Sequence, residues 1–182
     1  MKKDLISIII AAFNEEKKIA RCIESLLAQS YKNIEIIIAD DGSTDKTVEI
    51  AREYARKHKN VSLLEQKRQG PGAAKNLAAK KAKGEILVFV DADEYPRRDY
   101  VKKLTKPIMA GKAQTSIGAW IVAKPENPWA RCRFEDTYKL RHHAMQSGVF
   151  RAIKKISFED LGGFDTTKGY SDDRIKTEFE RV

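Results

Sequence analysis

Two aspartates, Asp91 and Asp93, close the run ILVFVDADEYP over residues 86–96. In an extended chain, residues i and i+2 point to the same face, so the two carboxylates are expected to converge beyond a strand end. Paired hard oxygen ligands suit Mg2+ or Mn2+, above all where a diphosphate supplies further oxygens. The spacing also fits a solvated acidic turn, with Glu94 and Pro96 as its continuation, and a lone D-x-D has little specificity.

Further clusters could work with it. In AAFNEE (11–16), Phe13 can offer a flat face to a nucleobase, and Glu15 and Glu16 sit where a helix is expected to begin, a place the helix dipole favours for carboxylates. In ADDGSTD (39–45), Asp40 or Asp41 can accept a hydrogen bond from a base imide or a ribose hydroxyl. Gly42 permits a tight turn there. Ser43 or Thr44 is the expected N-cap of the next helix. In GPGAAKN (70–76), small residues let backbone approach a ligand and Lys75 can bring a cation to a phosphate. An alanine-rich packing helix explains that stretch equally well. In GGFDTTKGYSDDRI (162–175), Asp172 and Asp173 sit at a helix start, where they can cap the helix or serve as a general base.

The elements that must position these residues follow from hydrophobic pattern. LISIIIAAF (5–13), NIEIIIAD (33–40), VSLLEQ (61–66) and EILVFV (85–90) read as strands, and the β-branched runs fit burial on both faces of a parallel sheet. Helical segments separate them, with Ile19, Ile23, Leu26 and Leu27 on one stripe of the first. Strand and helix alternating at this spacing predict βαβ units and an open α/β sheet covered on both sides. Ligands bind such sheets beyond the carboxyl ends of the strands, which is where the polar clusters fall. The second half is less regular. It predicts a helix from Tyr100 that breaks at Pro107, a strand over 113–123, a helix beginning near Cys132, and a short strand with a helical turn ended by Gly162–Gly163.

The 182 residues suffice for one domain with a sizeable core. The net charge of +9 fits phosphorylated ligands, anionic membrane surfaces or nucleic acid, although the lysines are scattered among glutamates rather than gathered in a block. Cys22 and Cys132 form no metal-ligand spacing and suit a reducing cytosol. No apolar run approaches a membrane span. The N-terminal apolar run is a better first strand than a signal peptide. The last residues, SDDRIKTEFERV, start a helix without a stop signal, and the expectation is a chain cut short.

Taken together, SIIIAAFNEEKKIARCIESLLAQSYKNIEIIIADDGSTDKT, GPGAAKNLAAKKAKGEILVFVDADEYP and the ordered GGFD…SDD resemble the family 2 glycosyltransferases, which have the GT-A fold. The resemblance runs nearly unbroken over residues 5–96 and is thinner over about 147–175. It implies a single GT-A domain: a Rossmann-like, mostly parallel sheet flanked by helices. Residues 1–96 would form the nucleotide-sugar half and 97–182 a looser acceptor half. It implies an inverting transfer of a sugar from a UDP- or GDP-sugar to a saccharide, lipid or protein hydroxyl, with Mn2+ or Mg2+. Ala11, Phe13 and Glu15 would lie around the nucleotide. Asp41 would contact the base, with Asp40 beside it. In the D-x-D formed by Asp91, Ala92 and Asp93, Asp93 would be the direct metal ligand and Asp91 the ribose-side or water-mediated partner. Lys75 stands where the family more often has arginine, which keeps the charge and loses the bidentate fork. The family's late Glu-Asp pair maps onto Asp172–Asp173, making Asp173 the candidate base and Asp172 its reserve. The Q-x-x-R-W motif of processive synthases is missing, which argues against a polymerase. A cytoplasmic protein, working at the cytoplasmic membrane face when its acceptor is a lipid, would suit the positive charge.

Other classes fit less well. A nucleotidyltransferase needs a glycine- and arginine-rich loop after the first strand, and AAFNEE has neither. A dehydrogenase needs G-x-G-x-x-G there. A nucleic-acid-binding module needs a basic stripe with interleaved aromatics; KHKN and KKAKG have none, so no nucleic-acid partner is expected.

Overall fold

The computed structural model describes residues 4–116 and 151–166. Its strands are β1 (Ile6–Ala12), β2 (Ile34–Asp40), β3 (Val61–Glu65), β4 (Ile86–Asp91), β5 (Thr115–Ser116) and β6 (Ala152–Lys154). They form one sheet in the order β3-β2-β1-β4-β6-β5. The first four strands are parallel; β6 reverses against β4, and β5 pairs antiparallel with β6. The chain moves outward from β1 through β2 to β3, then returns to the other side of β1 as β4. The switch point therefore lies between β1 and β4, where Ala11 is level with Asp91.

The helices are α1 (Ile19–Leu27), α2 (Thr47–Lys57), α3 (Pro71–Lys81), α4 (Tyr100–Met109) and α5 (Lys155–Asp160). Alternation along β1 divides the core. Ile6, Ile8 and Ile10 pack with Ile23 and Leu26 of α1, Ala51 of α2, and Leu104 and Ile108 of α4. Ile9 faces the opposite layer, with Ala74 and Ala78 of α3 and Phe158 of α5. Each fully buried isoleucine contributes about 2 kcal/mol of transfer free energy. The alanines of α3 let its backbone lie close to the sheet, and that brings Lys75 to the site.

Four expectations need correction. The regular helix begins later than Glu15 and Glu16: the Glu15 carbonyl opens a turn by accepting from the amides of Lys18 and Ile19, and α1 proper starts at Ile19. Neither Ser43 nor Thr44 is the N-cap of α2; Lys46 holds that place and caps with no side chain. Pro107 does not break α4, which continues to Met109. A proline in the last turn forfeits only a bond near the helix end. The strand expected from residue 113 begins instead at Thr115 and pairs through Ser116, and residues 117–123 of that expectation lie outside the described residues. The helix expected near Cys132 lies outside the described residues.

Candidate functional site

β4 stops at Asp91 because the chain turns at once: the Glu94 amide donates to the Asp91 carbonyl at 2.9 Å. Ala92 is buried within this turn, whereas the Asp93 side chain is 53% exposed. The two aspartates therefore do not share the face of an extended strand, as their spacing alone suggested. Asp91 is drawn inward. Its Oδ1 meets Lys75 Nζ at 3.2 Å and its Oδ2 meets Arg151 at 3.1 Å. A second guanidinium nitrogen of Arg151 meets Glu94 at 3.1 Å. Burial raises the Asp91 carboxyl, but Lys75 and Arg151 outweigh it and hold the group at about 2. Burial, with Asp91 beside it, pushes Glu94 up to about 8 against the pull of Arg151. Glu94 is thus a member of a charged cluster, not the plain turn residue that its sequence context indicates.

Asp93 faces outward to Lys18, 3.8 Å away, and Lys18 also pairs with Glu15 at 3.2 Å. Both contacts are half-exposed, and such pairs contribute well under 1 kcal/mol each. Asp93 is accordingly accessible to a cation. Among the described residues no three His, Cys, Asp or Glu side chains are grouped to hold a metal ion. One protein carboxylate suits Mg2+ or Mn2+ when phosphate oxygens and water complete the shell.

Asp40 and Asp41 are both buried, and both shape the floor beside β1. Asp40 Oδ2 accepts from the amides of Gly42 (3.0 Å) and Ser43 (2.9 Å), and the Ser43 hydroxyl donates to Oδ1. This explains the turn, in which Gly42 sits at φ +80°. Asp41 Oδ1 accepts from Gln66 Nε2 (2.7 Å) and the Gln69 amide (2.8 Å), and Oδ2 from the Gly70 amide (2.8 Å). Asp41 thereby fixes the loop leading into α3. That loop places the Arg68 guanidinium 3.8 Å from the centre of the Phe13 ring, so this face of Phe13 carries a cation.

On α3, Lys75 points to Asp91 and Asn76 points to the segment after α5. The Phe164 amide donates to Asn76 Oδ1 at 2.9 Å, and Asn76 Nδ2 donates to the Phe164 carbonyl at 3.0 Å. Phe164 packs on Phe89 and Phe158, with ring centroids 5.0 and 5.2 Å away. The fold thus brings together Ala11, Phe13, Glu15, Asp40, Asp41, Lys75, Asp91, Ala92 and Asp93 at the carboxyl edge. Asp172 and Asp173 lie outside the described residues. Sequence reasoning missed Arg151, Glu94, Arg68 and Asn76. None of the four carried a readable signal, because each acts through partners far away in sequence or through a turn that reads as plain.

No helix among the described residues is long and apolar enough to cross a membrane. The chain is similar to the mannosyltransferase PcManGT of Pyrobaculum calidifontis, solved with GDP-Man and Mn2+, at 27% identity and TM-score 0.67; 91% of this chain and 49% of that one are covered. Staphylococcus aureus TarS 1-349 with UDP is 30% identical at TM-score 0.59, covering 68% of this chain and 38% of that one. An uncharacterized glycosyltransferase of Haemophilus influenzae is 43% identical over 104 residues, 57% of this chain and 42% of that protein. Glycosyltransferase GlyA of Streptococcus pneumoniae is 36% identical over 63% of this chain and 16% of its own length. The chain spans less than half the length of each of these curated relatives. The match to the glycosyl transferase family 2 model extends over residues 7–162, from β1 through both layers of the core to the turn before Phe164, and on it the chain belongs to that family.

Proposed function

We propose that the chain is a single catalytic domain that transfers a sugar from a UDP- or GDP-sugar to an acceptor hydroxyl with inversion. The observation that carries this reading is Asp93, exposed at the β1/β4 switch point beside the ion pair of buried Lys75 with Asp91. PcManGT with GDP-Man and Mn2+, and TarS with UDP, support the donor class. Residues 1–96 bind the donor and residues 97–182 form the acceptor side. Asp93 would hold Mn2+ or Mg2+, and such an ion would supply stabilisation of the charge growing on the leaving group. Lys75 supplies a fixed cation beside that diphosphate. Phe13 and Arg68 bound the base, with Asp41 holding their loop, while Ala11 and Glu15 line the nucleotide. Asp173, with Asp172 in reserve, takes the proton from the acceptor hydroxyl as its oxygen attacks the anomeric carbon. The bond to the diphosphate breaks as the new glycosidic bond forms, releasing the nucleoside diphosphate. The acceptor is a saccharide, lipid or protein hydroxyl, and a lipid acceptor would bring the domain to the cytoplasmic membrane face.

The test is nucleotide release by the full chain from UDP-, GDP- and dTDP-sugars with Mn2+. One donor class is expected to be consumed, and Asp173→Asn to keep nucleotide affinity while losing turnover. No release from any donor, or an unchanged rate in Asp173→Asn, would count against the reaction or against the base respectively.

A further inference from the structure

Arg151 has a geometry that its place in the sequence does not foretell. It stands 60 residues beyond Asp91, yet its side chain is only 14% exposed and spans both Asp91 and Glu94. Its backbone is fixed from both sides: the Arg151 carbonyl accepts from Phe89 of β4, and its amide donates to Ser116 of β5, each at 2.9 Å. The guanidinium is therefore held against the D-x-D turn by the sheet itself. With Lys75 on Oδ1 and Arg151 on Oδ2, each carboxylate oxygen of Asp91 faces a cation. Glu94, three residues on in the same turn, meets the other arm of Arg151 at 3.1 Å. Of the acidic residues in the turn, Asp93 is the most exposed, at 53% against 39% for Asp91 and 10% for Glu94.

We propose that Arg151 makes ion binding conditional on the donor. By compensating Asp91 it leaves Asp93 as the turn's outward carboxylate for a divalent cation, and one carboxylate retains the ion only when a diphosphate brings further oxygens. The inference rests on the nucleotide-sugar reading above and deepens it: Arg151 is a positioning residue that sets the order of assembly at that site. Without its charge, Asp91 adds its negative charge to that of Asp93, and the bare turn attracts cations more strongly. In the ternary complex the diphosphate supplies the further oxygens in either case, so ion affinity there stays the same, tighter bare binding appears as a smaller enhancement, and reciprocity makes that loss equal for ion and nucleotide.

The experiment is a titration of the full chain with Mn2+, following the free-ion signal by electron paramagnetic resonance, alone and with saturating UDP or GDP. Wild type is expected to bind bare Mn2+ weakly and to bind it far more tightly with one nucleotide. In Arg151→Gln, bare affinity should rise about tenfold, within the ordinary range of coupling between sites, and the nucleotide enhancement should shrink by the same factor. Adding Asp91→Asn to Arg151→Gln should restore weak bare binding, and Arg151→Lys should resemble wild type. A merely structural role for Arg151 would lower affinity and stability together, not raise affinity. Unchanged or weaker bare binding in folded Arg151→Gln overturns the inference and leaves the donor reading intact. If that variant does not fold, tight bare Mn2+ binding by wild type overturns it instead, and weak bare binding with strong enhancement upholds it. A wild type that shows no Mn2+-dependent nucleotide binding overturns both.

Discussion

Asp41 accepts three hydrogen bonds from residues 66–70, and both of its oxygens are occupied. The aspartate pair Asp40–Asp41 was legible as special, because a plain turn needs only one carboxylate. Which bonds each would make was not legible, since Gln66, Gln69 and Gly70 lie 25 to 29 residues away. The structure gives the pair different work: Asp40 closes its own turn, and Asp41 reaches across to the loop that carries Arg68. Asp41→Asn tests this division. An amide can still accept at one atom, but its NH2 group would face a donor, either Gly70 or the Gln66–Gln69 pair. A buried donor left without an acceptor costs about 1–3 kcal/mol. The urea midpoint should fall by that equivalent with unchanged slope, and amide exchange at Gly70 should accelerate. A midpoint equal to wild type would mean that the loop does not depend on Asp41.

Strands β1, β2 and β4 were readable to within a residue or so because burial on both faces demands unbroken β-branched runs. The start of α1 and the cap of α2 were not, because their polar residues are shared between loops. The β1–α1 and β2–α2 connections lock each other: the Asn14 amide donates to Ser43 Oγ at 2.9 Å, the Thr44 amide to Asn14 Oδ1 at 2.8 Å, and the Glu15 amide to Thr47 Oγ1 at 2.8 Å. Ser43 and Thr44 have the right chemistry for caps but spend it on the neighbouring loop. A comparable tie joins α3 to the segment after α5, where Asn76 brackets Phe164. Gly163 sits at φ +74°, and a Cβ there would lie 2.6 Å from Asn76 Oδ1. Gly163→Ala should therefore destabilise by about 2 kcal/mol, from left-handed backbone strain and displacement of the Asn76 amide together. Hydrogen exchange should show protection lost first at Phe164, with β4 retaining its own. Full protection at Phe164 in that variant would show that Asn76 does not hold the segment.

At the scale of the molecule, the site is assembled from β1, β2, α3 and β4 of one half and from Arg151 of the other. The parallel half was legible as a ligand edge because alternation of strand and helix fixes which strand ends face together. The entry of Arg151 was not, because it depends on the three-residue strand β6 running backwards along β4, and so short a run has no readable period. A site spread over both halves and both faces of the sheet exists only in the native state, so its ligand must stabilise the whole fold. At a free ligand concentration near 100 times Kd, that linkage contributes about 2.7 kcal/mol. For a chain of this size each kcal/mol moves Tm by roughly 2–4 °C, so the expected rise is roughly 5–10 °C with the matching nucleotide and Mn2+. The nucleotide alone should give part of this rise, through contacts to Phe13, Arg68 and Lys75. Asp93→Ala should keep that part and lose the increment from Mn2+, because it removes the outward carboxylate and leaves the Lys75–Asp91–Arg151 cluster intact. If the metal increment survives Asp93→Ala, the ion sits elsewhere on the molecule. If neither UDP nor GDP moves Tm, with or without Mn2+, the carboxyl edge does not hold a nucleotide.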